Sequence, residues 1–177
     1  MKVSLTMATS PDMTVAVTIR PAREGEIDAL TALCRQSKQH WGYDEAFMSQ
    51  AEASLAIVPA RVAEGLVIVA EAAGRPVGVA GINPFSAGEI ANDPLLRKGD
   101  VDLSHLFIAP AAIGRGIGRD LFAAAVRRAR QIVGRRLVIL SDPNARAFYE
   151  AMGARFLAMA PSDAIPGRQL PLLALDL

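Results

Sequence analysis

Apolar residues recur along the chain at two spacings, and the switches between them divide it into strands and helices. Thr14 to Arg20 alternates β-branched with small or polar residues and predicts a strand stopped by Pro21. Glu24, Glu26 and Asp28 then put negative charge where a helix N-terminus is partly positive, and Ile27, Leu30, Leu33 and Cys34 recur at helical spacing to about Gln39. Phe47, Ala51, Leu55 and Val58 mark a second helix over Glu45 to Ile57, closed by Pro59. Strand patterns return at Leu66 to Ala72 and Pro76 to Ile82, joined through Ala73-Gly74-Arg75 as a hairpin. Asn83 to Gly99 contains Pro84, Gly88 and Pro94 and no sustained period, which predicts a long loop, a feature commonly functional in compact domains.

In the second half an apolar strand, Leu103 to Ile108, runs into the turn Gly114-Arg115-Gly116-Ile117-Gly118, which opens into a helix over Gly116 to Val133. Ile117, Leu121, Phe122, Ala125, Ala129 and Ile132 form its inner side, and Arg119, Arg127, Arg128 and Arg130 an outer row that reads as a solvated face. Arg136 to Leu140 is a short buried strand, and Ala145 to Met152 a helix carrying Phe148 and Tyr149 and stopped by Gly153. Phe156 to Ala160 and Leu170 to Leu175 are closing strands around a turn-rich loop at Pro161 to Arg168. Hairpin-joined strands interleaved with helices predict an α+β fold in three layers, α/β/α, around a mixed, largely antiparallel sheet. An exposed apolar edge at Leu170 to Leu175 permits a homodimer.

At 177 residues and 51% hydrophobic, the chain is long enough for one core and too short for two. This gives a single domain over residues 14–177, preceded by a flexible tail over 1–13 whose apolar residues are interrupted by polar ones, so that it is neither a signal peptide nor a membrane span. A formal net charge of +1 gives no reason to expect DNA or an anionic membrane as partner. Cys34 is the one cysteine, which excludes an intrachain disulfide framework and a cysteine-rich zinc site. It fits a reducing cytoplasm and reads as a small buried apolar residue, and no metal is expected.

The glycine turn carries the chemistry. Gly114, Gly116 and Gly118 leave backbone N–H groups unscreened, and the following helix adds unpaired donors and its positive dipole end, a combination that binds phosphate. A Walker loop requires Gly-Lys-Ser/Thr, and Gly118 is followed by Arg119-Asp120. A dinucleotide fingerprint requires a third glycine where this chain has Arg119 or Leu121. Trp41 and Tyr43, in a loop between helices of an aromatic-poor chain, either line a ligand pocket or pin that loop to the core.

With its strand, Pro110 and the helix, the glycine turn resembles the acetyl-coenzyme A motif of the GNAT superfamily of N-acetyltransferases. Thr18-Ile19-Arg20-Pro21-Ala22 is similar to the family's opening strand, Pro76-Val77-Gly78-Val79-Ala80-Gly81 to its third strand, and Ala145, Phe148, Tyr149 and Gly153 to its later helix motif. The similarity covers about residues 15–177. It departs at Ile113, where the family usually has Gln or Arg, and at Asp142, where it often has Asn, with Asn144 displaced by two positions.

The resemblance implies direct transfer from acetyl-CoA to a primary amine, with a small molecule or peptide as acceptor. It implies cofactor contacts at Leu106, Phe107, Ile108, Ile113, Gly114, Arg115, Gly116, Ile117, Gly118, Arg119, Asn144 and Phe148. An ammonium must lose a proton before attack, and Asp102, then His105, are the candidate acceptors, with strand-end hydrogen bonding as the bland alternative for Asp102. A backbone N–H near Phe107 or Ile108 suits the oxyanion. Tyr149 matches the family's general-acid tyrosine; without the resemblance it reads as a packing residue. Trp41, Tyr43 and the Asn83 to Gly99 loop are the candidate acceptor side, and Arg168 either receives an acceptor carboxylate or is an unpartnered surface arginine. Two other readings are a non-catalytic CoA-binding sensor or scaffold, and an aminoacyl-tRNA-acetylating toxin, which the small net charge disfavours.

Overall fold

Leu66 to Ala70 is buried on both faces, as a central strand of a covered sheet must be. In the computed structural model, which describes residues 16–177, seven strands form one sheet: β1 (Val17–Pro21), β2 (Val67–Ala72), β3 (Arg75–Pro84), β4 (Asp100–Ile108), β5 (Arg136–Leu140), β6 (Arg155–Pro161) and β7 (Gln169–Asp176). Their order is β1-β2-β3-β4-β5-β7-β6. Among the described residues β4 and β5 are the one parallel pair, and the other neighbours are antiparallel. The expected tail over residues 1–13, and Thr14 at the start of the first expected strand, lie outside the described residues.

Helices cover both faces. On one side α1 (Ile27–Gln39), α2 (Glu45–Leu55) and α3 (Pro59–Ala63) bury Leu30, Leu33, Cys34, Met48, Leu55 and Val62 against Val67, Val69 and Val79. On the other, α5 (Ile117–Gln131) and α6 (Arg146–Ala151) pack Leu121, Phe122, Ala125 and Tyr149 against Ile68, Ala80, Val101 and Leu103. The α/β/α layering and mixed sheet follow the hydrophobic pattern. A short helix α4 (Ala87–Asn92) lies outside these layers' cores.

Three expectations need correction. Residues 83–99 are not one loop: β3 continues through Asn83 and Pro84, and Ser86 and Glu89 form a capping box that starts α4. The run Leu170 to Leu175 is not an edge, because β7 is paired with β5 on one side and β6 on the other; the edges are β1 and β6. Arg128, in the expected solvated row, donates from Nε to the Gly65 carbonyl at 2.8 Å and from Nη2 to the Glu64 carbonyl at 2.9 Å, tying α5 to the loop before β2.

Two irregularities of β4 position the site. Gly81 pairs with His105 and Asn83 with Asp102, so three steps along β4 match two along β3. This bulge reverses the alternation: Val101 and Leu103 pack on the α5 side before it, Leu106 and Ile108 after it, while Phe107 joins the α1 side. The parallel pairing with β5 covers only Asp100 to Asp102, and from there to Ile108 the β5 side of β4 is open. At the root of this divergence Arg136 donates from Nε to Asp100 Oδ1 at 2.9 Å and from Nη2 to the Leu95 carbonyl at 2.8 Å. Both charged partners are buried, and the bridge clamps the paired end of the two strands.

Candidate active site

A cleft of about 870 Å³ fills the gap between the diverging strands. It runs along β4 from Asp102 to Ile108, is bounded by the glycine turn and the first turn of α5, and reaches α1, α2 and the loop between β6 and β7.

The glycine turn presents backbone. Gly114 and Gly116 both have φ of +82°, a left-handed conformation that glycine adopts without steric cost. A Cβ at either position would meet nothing within 4 Å, so the space beside the turn is open. Gly116 is the N-cap of the 15-residue helix α5, and the N–H groups of Gly114, Gly116 and Gly118 have no backbone acceptor among the described residues. Donors, dipole and open space together make an anion cradle. Arg115 and Arg119 are exposed beside it, as is Ile113. Gly118 lies against Phe148, to which an added Cβ would approach within 3.6 Å.

Asp102, His105 and Tyr149 all line the same cleft. Burial raises the Asp102 carboxyl to about 7, with a further push from the negative charges of Asp163 and Glu89. Burial lowers the His105 imidazole to about 4, against a weaker opposite effect of the Leu55 and Ala56 backbone. His105 Nδ1 is 3.1 Å from Ser104 Oγ, and its buried Nε2 has no hydrogen-bond partner among the described residues. The Tyr149 ring packs with Phe122 and Phe148, and its phenol is pushed up by burial first, then by Asp102 and Asp142.

The opposite wall is a polar network. Asp142 Oδ2 accepts from Lys38 Nζ and, at 2.7 Å, from Tyr43 Oη, while its Oδ1 accepts the Asn144 N–H at 3.0 Å. Arg168 donates from Nη2 to Tyr43 Oη at 2.8 Å. Asp142 stays ionised: burial opposes this, but its bonds to Lys38, Tyr43 and Asn144 prevail and lower its pKa.

A family model of the acetyltransferase (GNAT) family matches residues 28–154. The chain belongs to the GNAT acetyltransferase family. Among solved structures, PaiA N-acetyltransferase from Thermoplasma acidophilum in complex with coenzyme A is similar at 13% identity and a TM-score of 0.68, over 92% of this chain and 99% of that one. Ard1 from Thermoplasma volcanium gives 17% and 0.65, over 92% and 99%. A GNAT family acetyltransferase from Brucella melitensis in complex with acetyl-CoA gives 22% and 0.59, over 88% and 95%. At these identities the likeness is one of fold. No curated protein matches the chain.

Within this GNAT fold, Leu106, Phe107, Ile108, Ile113, Gly114, Gly116, Ile117, Gly118, Arg119, Asn144 and Phe148 line the cleft with the three catalytic candidates; Arg115 lies on the turn without lining it. Trp41 lines the cleft and is 52% exposed, so it does not pin its loop to the core. Tyr43 stands behind the cleft wall, stacked on Phe47 and bonded to Asp142. Arg168 has partners, contrary to its reading as an unpartnered surface arginine. Sequence reasoning missed Lys38, Phe47, Asp142 and Asp163 as site residues. Lys38 and Asp142 are 104 positions apart, and no local pattern announces such a pair.

Proposed function

We propose that this GNAT chain transfers the acetyl group of acetyl-CoA to a primary amine bound in the same cleft. The observation that carries the reading is one continuous cleft lined both by the glycine turn at the start of α5 and by the Asp102 carboxyl on β4, which burial pushes up to about 7. The residues of the turn fit the donor's pyrophosphate: Gly114 and Gly116 leave room where backbone N–H groups converge, and Arg115 and Arg119 add positive charge. The donor supplies a thioester, an acyl group activated for transfer to nitrogen.

Each chemical step has a residue. Asp102 takes the proton of the acceptor ammonium; a base with pKa near the working pH is ionised often enough to accept it and basic enough to hold it. The freed nitrogen forms the new C–N bond as the thioester C–S bond breaks. A backbone N–H on the unpaired side of β4 stabilises charge developing on the carbonyl oxygen. Tyr149 gives its proton to the departing sulfur; its raised pKa keeps it protonated until then, and the second proton that the nitrogen sheds as the amide forms restores the phenol. His105, held neutral by burial, lies along the same strand and serves the acceptor side as a neutral hydrogen-bonding group.

Thermal unfolding with acetyl-CoA, CoA, ATP or NAD tests the cradle. A ligand at 100 times its dissociation constant stabilises the native state by about 2.7 kcal/mol, so a rise in Tm with acetyl-CoA and CoA alone is expected. Release of free thiol from acetyl-CoA with an amine panel tests the transfer. No Tm shift with either CoA species overturns the reading.

A further inference from the structure

Away from the glycine turn, where Arg119 lines the cleft, charge in the cleft is divided between two places. Near β4 it is negative: Asp102 on the strand and Asp163 on the loop between β6 and β7 line the cleft, and Asp163, with Glu89 outside the lining, raises the Asp102 carboxyl further. On the opposite wall it is positive. Lys38 and Arg168 flank the stacked rings of Tyr43 and Phe47, whose centroids are 4.1 Å apart at 14°. Lys38 Nζ stands 4.7 Å from the Tyr43 centroid and Arg168 Cζ 4.9 Å from that of Phe47. One carboxylate, Asp142, serves both cations, which leaves one positive charge in excess.

Arg168 carries that excess. Its Nη2 bonds the Tyr43 hydroxyl at 2.8 Å, and the same nitrogen is 3.7 Å from Asp142 Oδ2, beyond hydrogen-bond distance. Asp142 is already engaged by Lys38, Tyr43 and Asn144. The guanidinium therefore lines the cleft with donors to spare, fixed by an aromatic shelf and one hydrogen bond. A fixed planar fork with unused donors matches the two oxygens of a carboxylate. An acceptor bearing only amines would bring like charge toward Lys38 and Arg168, whereas a monoanion balances the surplus.

We infer that the acceptor amine carries a carboxylate, as an amino acid does, and that Arg168 receives it while the amine lies toward Asp102. This rests on the acetyl-transfer reading for the amine's fate, and binding tests it separately from turnover.

The test is calorimetric titration of the CoA-loaded full chain with L-phenylalanine against phenethylamine, L-lysine against cadaverine, and β-alanine against O-phosphoethanolamine. At least one acid is expected to bind about tenfold or more tighter than its carboxylate-free partner, the scale of a charged hydrogen-bonded pair. That ratio is expected to collapse in Arg168→Gln and to recover in part in Arg168→Lys, with the CoA-induced Tm shift checking that each variant is folded. Equal binding within every pair, a preference untouched by Arg168→Gln, tighter binding of the phosphate, or no binding of any acid overturns the inference. The same panel with acetyl-CoA separates the two readings. Acids that bind in an Arg168-dependent way without thiol release sink acetyl transfer and leave the carboxylate site standing; thiol release that ignores the carboxylate does the reverse.

Discussion

Asp102 and His105 lie three positions apart on β4, and burial drives their proton affinities in opposite directions. The carboxyl rises from 3.8 to about 7, so between those values the folded chain holds a proton that the unfolded chain has lost, and stability falls as pH rises. The imidazole falls from 6.5 to about 4, so there the unfolded chain holds the extra proton, and stability falls as pH drops. The two slopes oppose each other in the shared window. Asp102→Asn removes the first, so its stability relative to the parent chain is expected to climb with pH from about 4 to 7 in urea unfolding. A difference independent of pH would refute the raised carboxyl. The same variant is expected to lose about 100-fold in kcat/KM and the rise in rate through a pKa of about 7. Tyr149→Phe keeps the ring that packs on Phe122 and Phe148, so fold and CoA affinity are expected to survive while turnover drops; unchanged turnover removes its acid role. Both residues stand out in the sequence by type and place. Their proton affinities do not, because those come from Asp163, Glu89 and Asp142 and from burial between elements.

The glycine turn and β4 act as elements, through backbone. Gly116→Val forces a β-branched residue to φ of +82°. That conformation costs about 1–2 kcal/mol for an L-residue, so a lower Tm and a smaller acetyl-CoA shift at fixed ligand concentration are expected. A full-sized shift would take Gly116 out of the cradle. The turn is legible in sequence because its requirement is local: consecutive residues, special φ, a helix behind. The β4 bulge is another matter. Its strand shows as an apolar run, but the reversal of facing between Leu103 and Leu106 depends on pairing with Gly81 and Asn83 of another strand. At the strand's root, Asp100→Ala strands the buried Arg136 guanidinium and is expected to cost about 3–5 kcal/mol in denaturant unfolding. A loss below about 1 kcal/mol, the range of an exposed pair, would show that the Asp100–Arg136 bridge does not clamp the paired end of the two strands.

At the scale of the whole molecule, the cleft exists because β4 and β5 pair for three residues and then part, and because α1, α2 and the β6–β7 loop close over the gap. Among the described residues no helix is long and apolar enough to cross a membrane. Lys38 and Tyr43 around the α1–α2 connection, Asp142 after β5 and Arg168 before β7 meet at the cleft wall from three separate parts of the chain. By itself the sequence determined what depends on short range: the order of strands and helices, the layers that their apolar faces require, and a turn with glycines on alternate positions that opens into a helix. Tertiary structure decided what depends on long-range contact. It put β7 inside the sheet, extended β3 through Asn83, raised Asp102, and made Arg168 part of a charged wall. Local spacing fixes backbone conformation and facing, whereas charge balance and burial are set by which distant residues the fold brings together.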